Sequence, residues 1–175
     1  YAIGEINKKG HGLDVVKNTV SKITGLDIHY AVLINFKAFK SLINEIGGIK
    51  IVRQAPFIED KQWGCDEQGE NCQVFSVPAG QSLLDGEKAL LYVRSRFSSS
   101  DFDREKRQQE VIQATKDKIL SSDILANPVK INKLLSLVST NLKTDINLIE
   151  ANNLLKYLTD IKNEDIFYKV FNISD

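Results

Sequence analysis

Segments with helical periodicity alternate along this chain with short runs of β-branched and aromatic residues. Near the start, apolar residues recur at helical spacing ahead of a glycine, Gly25, that can end a helix: Leu13, Val16, Val20 and Ile23. The run 29–36 is typical of a strand, and the same change of period is repeated further along the chain. This alternation predicts an α/β fold, with α+β as the alternative, in which helices flank a central β-sheet.

Caps and breakers delimit the remaining elements. Helices are expected over 37–46, 85–92, 103–120, 127–141 and 147–161, and extended segments over 49–52, 142–146 and 166–173. The pair Gly47-Gly48 can end the first of these helices in a left-handed turn, and Asp85 is a suitable N-cap. A chain of 175 residues suits one domain with a sizeable core, so residues 1–175 are predicted to form a single domain. Because the chain starts at Tyr1 and contains no methionine, we expect it to be an N-terminally truncated piece of a longer protein.

The segment 55–79 interrupts the alternation. It carries Pro56, Pro78 and the two cysteines of the chain, Cys65 and Cys72, so it is predicted to be a long loop or a hairpin insertion. The cysteine spacing is not that of a zinc site, and no histidine lies nearby. The two cysteines can close a small disulfide loop, which implies an oxidising, extracytoplasmic compartment, or they can remain free thiols in a reducing one.

Charge is balanced, with 23 lysines and arginines against 23 aspartates and glutamates. A general nucleic-acid binder carries a broad basic surface, so this balance argues against that function. No apolar run in the sequence approaches the length needed to span a membrane. Neither a G-x-S-x-G motif nor a P-loop is present, and His11 and His29 lack the spacing of metal ligands.

One short segment nevertheless concentrates basic side chains. Four arginines and a glutamine fall within fifteen residues: Arg94, Arg96, Arg104, Arg107 and Gln108. If Asp103 opens a helix, the last three of these share one face near its N-terminus, where backbone N–H groups also favour anions. Guanidinium groups match phosphate oxygens two at a time. The segment therefore predicts a site for a polyanion such as a pyrophosphate.

The same residues also have a simpler interpretation as a solvated helix face. Asp101, Asp103 and Glu105 lie in the same segment and could pair with the arginines internally. Arg94 and Arg96 favour the binding site, because they alternate around a single serine at the end of an apolar stretch. That geometry lets two segments aim guanidinium groups at one point.

Three motifs, in this order, resemble the LytR-CpsA-Psr family of bacterial cell-envelope proteins. They are the strand–helix–strand segment from Tyr30-Ala31-Val32 to Gly47-Gly48-Ile49, the run Gly80-x-x-x-Leu84-Asp85-Gly86-x-x-Ala89-Leu90, and the arginine motif Tyr92-x-Arg94-x-Arg96 with Asp101-Phe102-x-Arg104-x-x-Arg107-Gln108. Together they extend over roughly residues 1–122. The combination is specific, whereas an isolated R-x-R would be weak evidence.

The resemblance implies an enzyme that transfers a glycopolymer from a polyprenyl-pyrophosphate carrier to peptidoglycan or a similar wall acceptor, assisted by Mg²⁺. It also implies a cell-envelope location outside the cytoplasm and a membrane anchor in the parent protein, and the balanced charge predicts no nucleic-acid partner. Carried over to this chain, Arg94, Arg96, Arg104, Arg107 and Gln108 hold the pyrophosphate. Arg96 and Asp101 are the expected catalytic residues, and Asp101 either orients an arginine or lies near the metal. Phe36, Phe39 and Leu91 are expected to line a lipid tunnel, although each also fits an ordinary core position.

The chain also departs from the family pattern. The family's first strands carry an aspartate and arginines for Mg²⁺ and the head group, and we expect those ligands to lie outside these 175 residues. Two other functions stay open. One is a non-catalytic extracytoplasmic module that binds lipid-linked pyrophosphate. The other is a transcription regulator, against which the balanced charge and the lack of a helix-turn-helix pattern argue.

Overall fold

The computed structural model describes residues 10–125, 127, 129–130, 133–134, 136, 142–147, 149–151, 153–154 and 157. In chain order the elements are α1 (Gly12–Thr24), β1 (Val32–Ile34), α2 (Phe36–Glu45), β2 (Ile49–Arg53), β3 (Phe57–Trp63), β4 (Gln73–Val77), β5 (Gly80–Leu84), α3 (Gly86–Arg94), α4 (Asp101–Ile119), α5 (Ser122–Leu125) and β6 (Leu142–Thr144). The chain divides into two compact units, unit 1 (Tyr1–Ala38 with Ser136–Ile166) and unit 2 (Phe39–Leu135 with Phe167–Asp175). That residues 1–175 form one domain stays a prediction.

Unit 1 contains α1 and the antiparallel pair of β1 with β6, in which Val32 lies opposite Thr144. The predicted end of α1 is confirmed, because Gly25 is left-handed at φ 71° and its N–H donates to the carbonyl of Ser21 at 2.8 Å. Next to the strand pair, the Asp145 carboxylate accepts the backbone N–H of Ala31 at 2.8 Å and contacts Lys17. These contacts lower the pKa of Asp145, with the Ala31 hydrogen bond as the largest cause.

Unit 2 holds its core between two antiparallel strand pairs and the helices around them. Strand β2 pairs with β5, and β3 pairs with β4 as a hairpin within the segment 55–79. Among the described residues, the buried core consists of Ile43, Ile46, Ile49, Ile51, Phe57, Val77, Leu84, Ala89, Tyr92, Val111 and Ile124. The mixed helix-and-strand class is confirmed, and the antiparallel pairing of the described strands is that of an α+β fold.

The start of α3 is held against α2 by a close approach that needs glycine. A Cβ atom on Gly86 would lie 2.3 Å from the carbonyl oxygen of Lys40, so a larger residue would separate the two helices. The Gly86 N–H also donates to Asn44 Oδ1 at 2.7 Å, and the Asp85 side chain caps α3 by accepting from Lys88 N. These contacts set the direction of α3, at whose far end Arg94 lies.

Several elements differ from the sequence-based expectation. Strand β1 spans Val32–Ile34 rather than 29–36, and β6 ends at Thr144 rather than at 146. Helix α4 begins at Asp101 rather than Asp103, because Ser100 is its N-cap. No strand was predicted for residues 80–84, and β5 forms there by pairing with β2. The described residues of the predicted helices at 127–141 and 147–161 include helical positions in both, at 129–130, 133–134, 136, 149–151, 153–154 and 157. The predicted strand at 166–173 lies outside the described residues.

Candidate functional site

Arg94 and Arg96 point outward from the end of α3. The residue between them, Ser95, is fully buried and extended, and its hydroxyl donates to Leu91 O at 2.8 Å. Because side chains alternate across an extended segment, an inward Ser95 places the two arginines on the opposite side, and both are exposed. The Arg94 guanidinium lies over the ring of Trp63, 5.3 Å from its centroid.

Arg104 and Gln108 lie one turn apart in the first two turns of α4. A capping box begins this helix: the Ser100 hydroxyl accepts Asp103 N at 3.1 Å, and the Asp103 carboxylate accepts Ser100 N at 3.2 Å. The Ser100 hydroxyl is the main reason why the pKa of Asp103 is lowered. Gln108 donates its amide to Val93 O at 3.3 Å, so the first turns of α4 contact the last turn of α3.

Asp101 pairs with one of the motif arginines. Its Oδ1 lies 3.0 Å from Arg104 Nη1, an i,i+3 contact within the first turn of α4. Whether Asp101 orients this arginine for the ligand or lies near the metal stays a prediction. Its catalytic role, like that of Arg96, stays a prediction.

Arg107 differs from the other motif residues because it is buried, with 3% of its surface exposed. Its Nε donates to Tyr92 O at 3.0 Å, its Nη2 donates to Ser95 O, and its guanidinium lies 4.4 Å from the centroid of the Phe57 ring. Burial is the main cause that lowers the pKa of Arg107. Arg107 thus joins α4 to the end of α3, and its predicted contact with pyrophosphate stays a prediction.

Three side chains of β3 that the sequence did not single out support the arginine segment. The Gln62 amide bridges it, since Oε1 accepts Arg96 N at 2.7 Å and Nε2 donates to Arg94 O at 3.1 Å. Trp63 donates its indole N–H to the Ser95 hydroxyl at 3.2 Å. Glu59 is fully buried and accepts hydrogen bonds from the loop that follows Arg96. One signal was available: Phe57 and Glu59 are two apart, so both face inward on a strand with a buried side.

The pKa of Glu59 is set by two opposing effects. Burial by itself would raise it, and this is the largest single contribution. Hydrogen bonds from the hydroxyl and backbone of Ser98, and from the backbone of Lys61 and Phe97, together outweigh burial and hold the pKa of Glu59 below its usual value. The group is therefore a buried carboxylate at neutral pH.

Tyr92 is another buried residue close to Arg107, whose guanidinium lies 5.8 Å from the centroid of the Tyr92 ring. The Tyr92 hydroxyl donates to Glu110 Oε2 and accepts from Arg53 Nη1, each at 2.5 Å. Burial raises the pKa of Tyr92, and the Glu110 carboxylate adds to the effect. Tyr92 is therefore a neutral hydrogen-bonding group in the core of unit 2. The sequence motif includes this tyrosine without indicating these partners.

The three residues expected to line a lipid tunnel have different surroundings. Phe36, the first residue of α2, is 57% exposed and belongs to unit 1, whereas Phe39 and Leu91 are half-buried in unit 2. Phe39 packs against the core of unit 2. A surface depression of about 380 Å³ in unit 2 is lined by other residues, namely Asn44, Gly47, Gly48, Leu83, Asp85 and Lys88. The lipid role of Phe36, Phe39 and Leu91 stays a prediction.

The two cysteines form the predicted disulfide. Cys65 and Cys72 are bonded at the tip of the β3–β4 hairpin, with an S–S distance of 2.04 Å. Asp66 orders the turn inside this ring by accepting Glu70 N and the Asn71 amide, each at 2.7 Å. The bond begins two residues after Trp63, so it closes the end of the hairpin that supports the arginine segment.

Metal ligands were expected outside the chain. Among the residues that the structure describes, no group of three His, Cys, Asp or Glu side chains could hold a metal ion. Asp101 and Asp103, two of the three carboxylates in the arginine segment, are engaged with Arg104 and Ser100. The described residues alone do not fit a Mg²⁺ site, and we derive no step through that ion.

A model of the LytR_cpsA_psr family matches residues 1–173, almost the whole chain and well beyond the motifs. This chain belongs to the LytR-CpsA-Psr family. A family relative in Bacillus subtilis, the polyisoprenyl-teichoic acid–peptidoglycan teichoic acid transferase TagT, is 32% identical over 151 residues, which are 86% of this chain and 44% of TagT. A transferase of the same description from Enterococcus faecalis, TagU, is 33% identical over 137 residues, 77% of this chain and 40% of TagU. The chain thus spans less than half the length of these curated relatives.

Solved structures of the family have the same fold. The crystal structure of B. subtilis TagV has a TM-score of 0.67 at 28% identity, covering 93% of this chain and 58% of that one. A structure of TagT bound to LIIa-WTA has a TM-score of 0.62 at 30% identity, covering 91% of this chain and 55% of that one. In the described part of this family member, no helix is long and apolar enough to cross a membrane.

Proposed function

We propose that this chain is the domain of a cell-wall transferase that moves a glycopolymer from a polyprenyl-pyrophosphate carrier to peptidoglycan or another wall acceptor. Membership of the LytR-CpsA-Psr family supports the proposal, and so do the names of the relatives, which are teichoic acid transferases. One observation in this chain carries it: the first two turns of α4, with Arg104 and Gln108, pack on the end of α3, next to Arg94 and Arg96. Four polar side chains of the motif therefore come from two adjacent segments.

The chemistry asked of these residues is charge neutralisation and positioning. An acceptor hydroxyl oxygen forms a bond to the phosphorus that carries the glycan, while the bond from that phosphorus to the bridging oxygen breaks. The polyprenyl phosphate leaves with the electron pair, and the acceptor proton passes to water. Guanidinium groups of Arg94, Arg96 and Arg104 would balance the charge on the two phosphates throughout this exchange.

The proposal includes a donor substrate, a metal ion and a cellular location. The lipid-linked glycan is the donor, and Phe36, Phe39 and Leu91 are its proposed lipid contacts. Mg²⁺ is implied by the family resemblance and would shield the same phosphates. The disulfide supports a location outside the cytoplasm, in the cell envelope, where such bonds persist.

The test is an assay of the protein with a polyprenyl-pyrophosphate-linked glycan, peptidoglycan and Mg²⁺, in which glycan on peptidoglycan and released polyprenyl phosphate are both measured. We expect both products to appear together and to decrease when EDTA is added. Binding of the carrier without either product would favour the non-catalytic binding module. Failure to bind the carrier at all would overturn both functions.

A further inference from the structure

Glu59 stands out among the buried groups of unit 2, because it is a charged side chain whose hydrogen-bond donors are neutral. Its Oε2 accepts the backbone N–H groups of Phe97 and Ser98, each at 3.1 Å. Its Oε1 accepts the Ser98 hydroxyl at 2.7 Å and Lys61 N at 3.1 Å. A buried carboxylate is costly unless its oxygens are hydrogen-bonded, and here both oxygens have donors.

Three of the four donors, those of Phe97 and Ser98, lie on the loop that separates the two arginine segments. Phe97 and Ser98 follow Arg96 directly, and Ser100, the N-cap of α4, begins the turn that carries Arg104. The position of this loop therefore determines where the two segments stand relative to each other. Strand β3 holds the loop through Glu59, and it holds the preceding residues through Gln62.

We propose that Glu59 is a positioning residue of the arginine site: by anchoring the amides of Phe97 and Ser98, it sets the separation between Arg96 and Arg104. This inference rests on the proposed function, because it assumes that the arginines bind a pyrophosphate. Glu59 itself lies inside unit 2 and touches the loop backbone rather than the ligand. Because the loop is already ordered before the anion binds, binding does not cost the entropy of ordering the arginines.

The test compares Glu59→Gln with Glu67→Gln, the same substitution at an exposed position of the same hairpin. Two quantities are measured: the exchange rates of the Phe97 and Ser98 amide hydrogens, and the affinity for farnesyl pyrophosphate. We expect Glu59→Gln to accelerate both amide exchange rates and to weaken binding about tenfold, the usual scale for hydrogen bonds to a charged group. Glu67→Gln should change neither quantity.

A double-mutant cycle separates positioning from general stability. If Glu59 acts through Arg96, the loss caused by Glu59→Gln shrinks to less than about twofold in an Arg96→Ala background, because the positioned group has gone. An equal loss in both backgrounds overturns the positioning role. Should Glu59→Gln fail to fold, Ser98→Ala removes one donor, keeps the carboxylate and is expected to show the same non-additivity.

The outcomes also separate this inference from the proposed function. Wild-type protein that does not bind farnesyl pyrophosphate overturns the proposed function and the positioning role together. Wild-type binding with unchanged affinity in Glu59→Gln overturns the positioning role alone.

Discussion

Arg107 on α4 donates its Nε–H to the backbone carbonyl of Tyr92 on α3, at 3.0 Å. Its Nη2 also donates to the carbonyl of Ser95. Arg107 therefore satisfies two backbone carbonyls at the C-terminal end of α3, where a helix leaves carbonyl groups without partners inside the helix. A residue of the predicted binding motif therefore stabilises the contact between the two arginine segments. The motif thus combines arginines expected to bind the anion with an arginine that stabilises the fold, and the sequence pattern alone does not distinguish the two roles.

Replacing this arginine should destabilise the fold. Arg107→Ala leaves the carbonyls of Tyr92 and Ser95 buried without donors and opens space beside Phe57, so we expect a loss of about 2–4 kcal/mol in the free energy of unfolding. Urea denaturation followed by circular dichroism measures it. Arg104→Ala on the same helix is the control and should cost less than about 1 kcal/mol, because its partner Asp101 is an exposed carboxylate. Equal effects of the two substitutions would contradict the stabilising role of Arg107.

The cap of α4 gives a second test with two neighbouring serines. Ser100→Ala removes the hydroxyl that accepts Asp103 N and should destabilise the protein by about 1 kcal/mol. Ser99→Ala is the matched control: the Ser99 hydroxyl oxygen is buried and has no hydrogen-bond partner in the described structure, so its removal should be neutral or slightly stabilising. Thermal unfolding of both variants measures the difference, and a greater loss at position 99 would speak against the cap.

Binding of the pyrophosphate should depend on the motif arginines that are not buried. Arg94→Ala and Arg104→Ala are each expected to weaken the binding of farnesyl pyrophosphate by about 1–3 kcal/mol, the scale of a lost charge-assisted contact, without unfolding the protein. Isothermal titration calorimetry measures the affinity. Lys118→Ala, in the last turn of α4, is the control for a general loss of positive charge. Unchanged affinity in both arginine variants would mean that these side chains do not bind the pyrophosphate.

The lowered pKa of Glu59 predicts that part of the stability of the fold is lost at acid pH. Its folded pKa is below its unfolded value, near 4.5, so the unfolded chain binds more protons and stability rises with pH through this range. The contribution is complete above the unfolded pKa and is lost as pH falls through the folded pKa. Glu59→Gln should have a lower free energy of unfolding than wild type at pH 7, and this difference should be smaller at pH 3. Urea denaturation at both pH values measures it, and a difference independent of pH would show that the charge of Glu59 does not contribute to stability.

Reduction of the disulfide should loosen the hairpin. The bond joins residues seven apart, and closing so short a ring is worth about 2 kcal/mol through the entropy of the unfolded chain. The Cys65→Ser, Cys72→Ser variant should therefore unfold at lower urea concentration than the oxidised protein. Dithiothreitol should lower the stability of wild type and leave that of the double variant unchanged. A wild-type midpoint insensitive to dithiothreitol would contradict this.

Several structural features could be predicted from local patterns in the sequence. The end of α1 at Gly25, the turn at Gly47-Gly48 and the Asp85 cap follow from residues within a few positions of each other, because a helix terminus is satisfied by its own neighbours. The disulfide was also foreseeable, since its partners share one short loop. The family itself was recognisable from motifs that are contiguous in the chain.

Other features depended on residues far apart in sequence. Strand β5 exists because β2 pairs with it, and local propensity carries no information about that partner. The burial of Arg107, the bridge by Gln62 and the three hydrogen bonds from Phe97 and Ser98 to Glu59 join residues some 12 to 39 positions apart along the chain. The sequence alone thus determined which side chains could bind an anion. Tertiary packing decided which of them face outward and which hold the others in place, because burial and hydrogen bonding are properties of the folded neighbourhood.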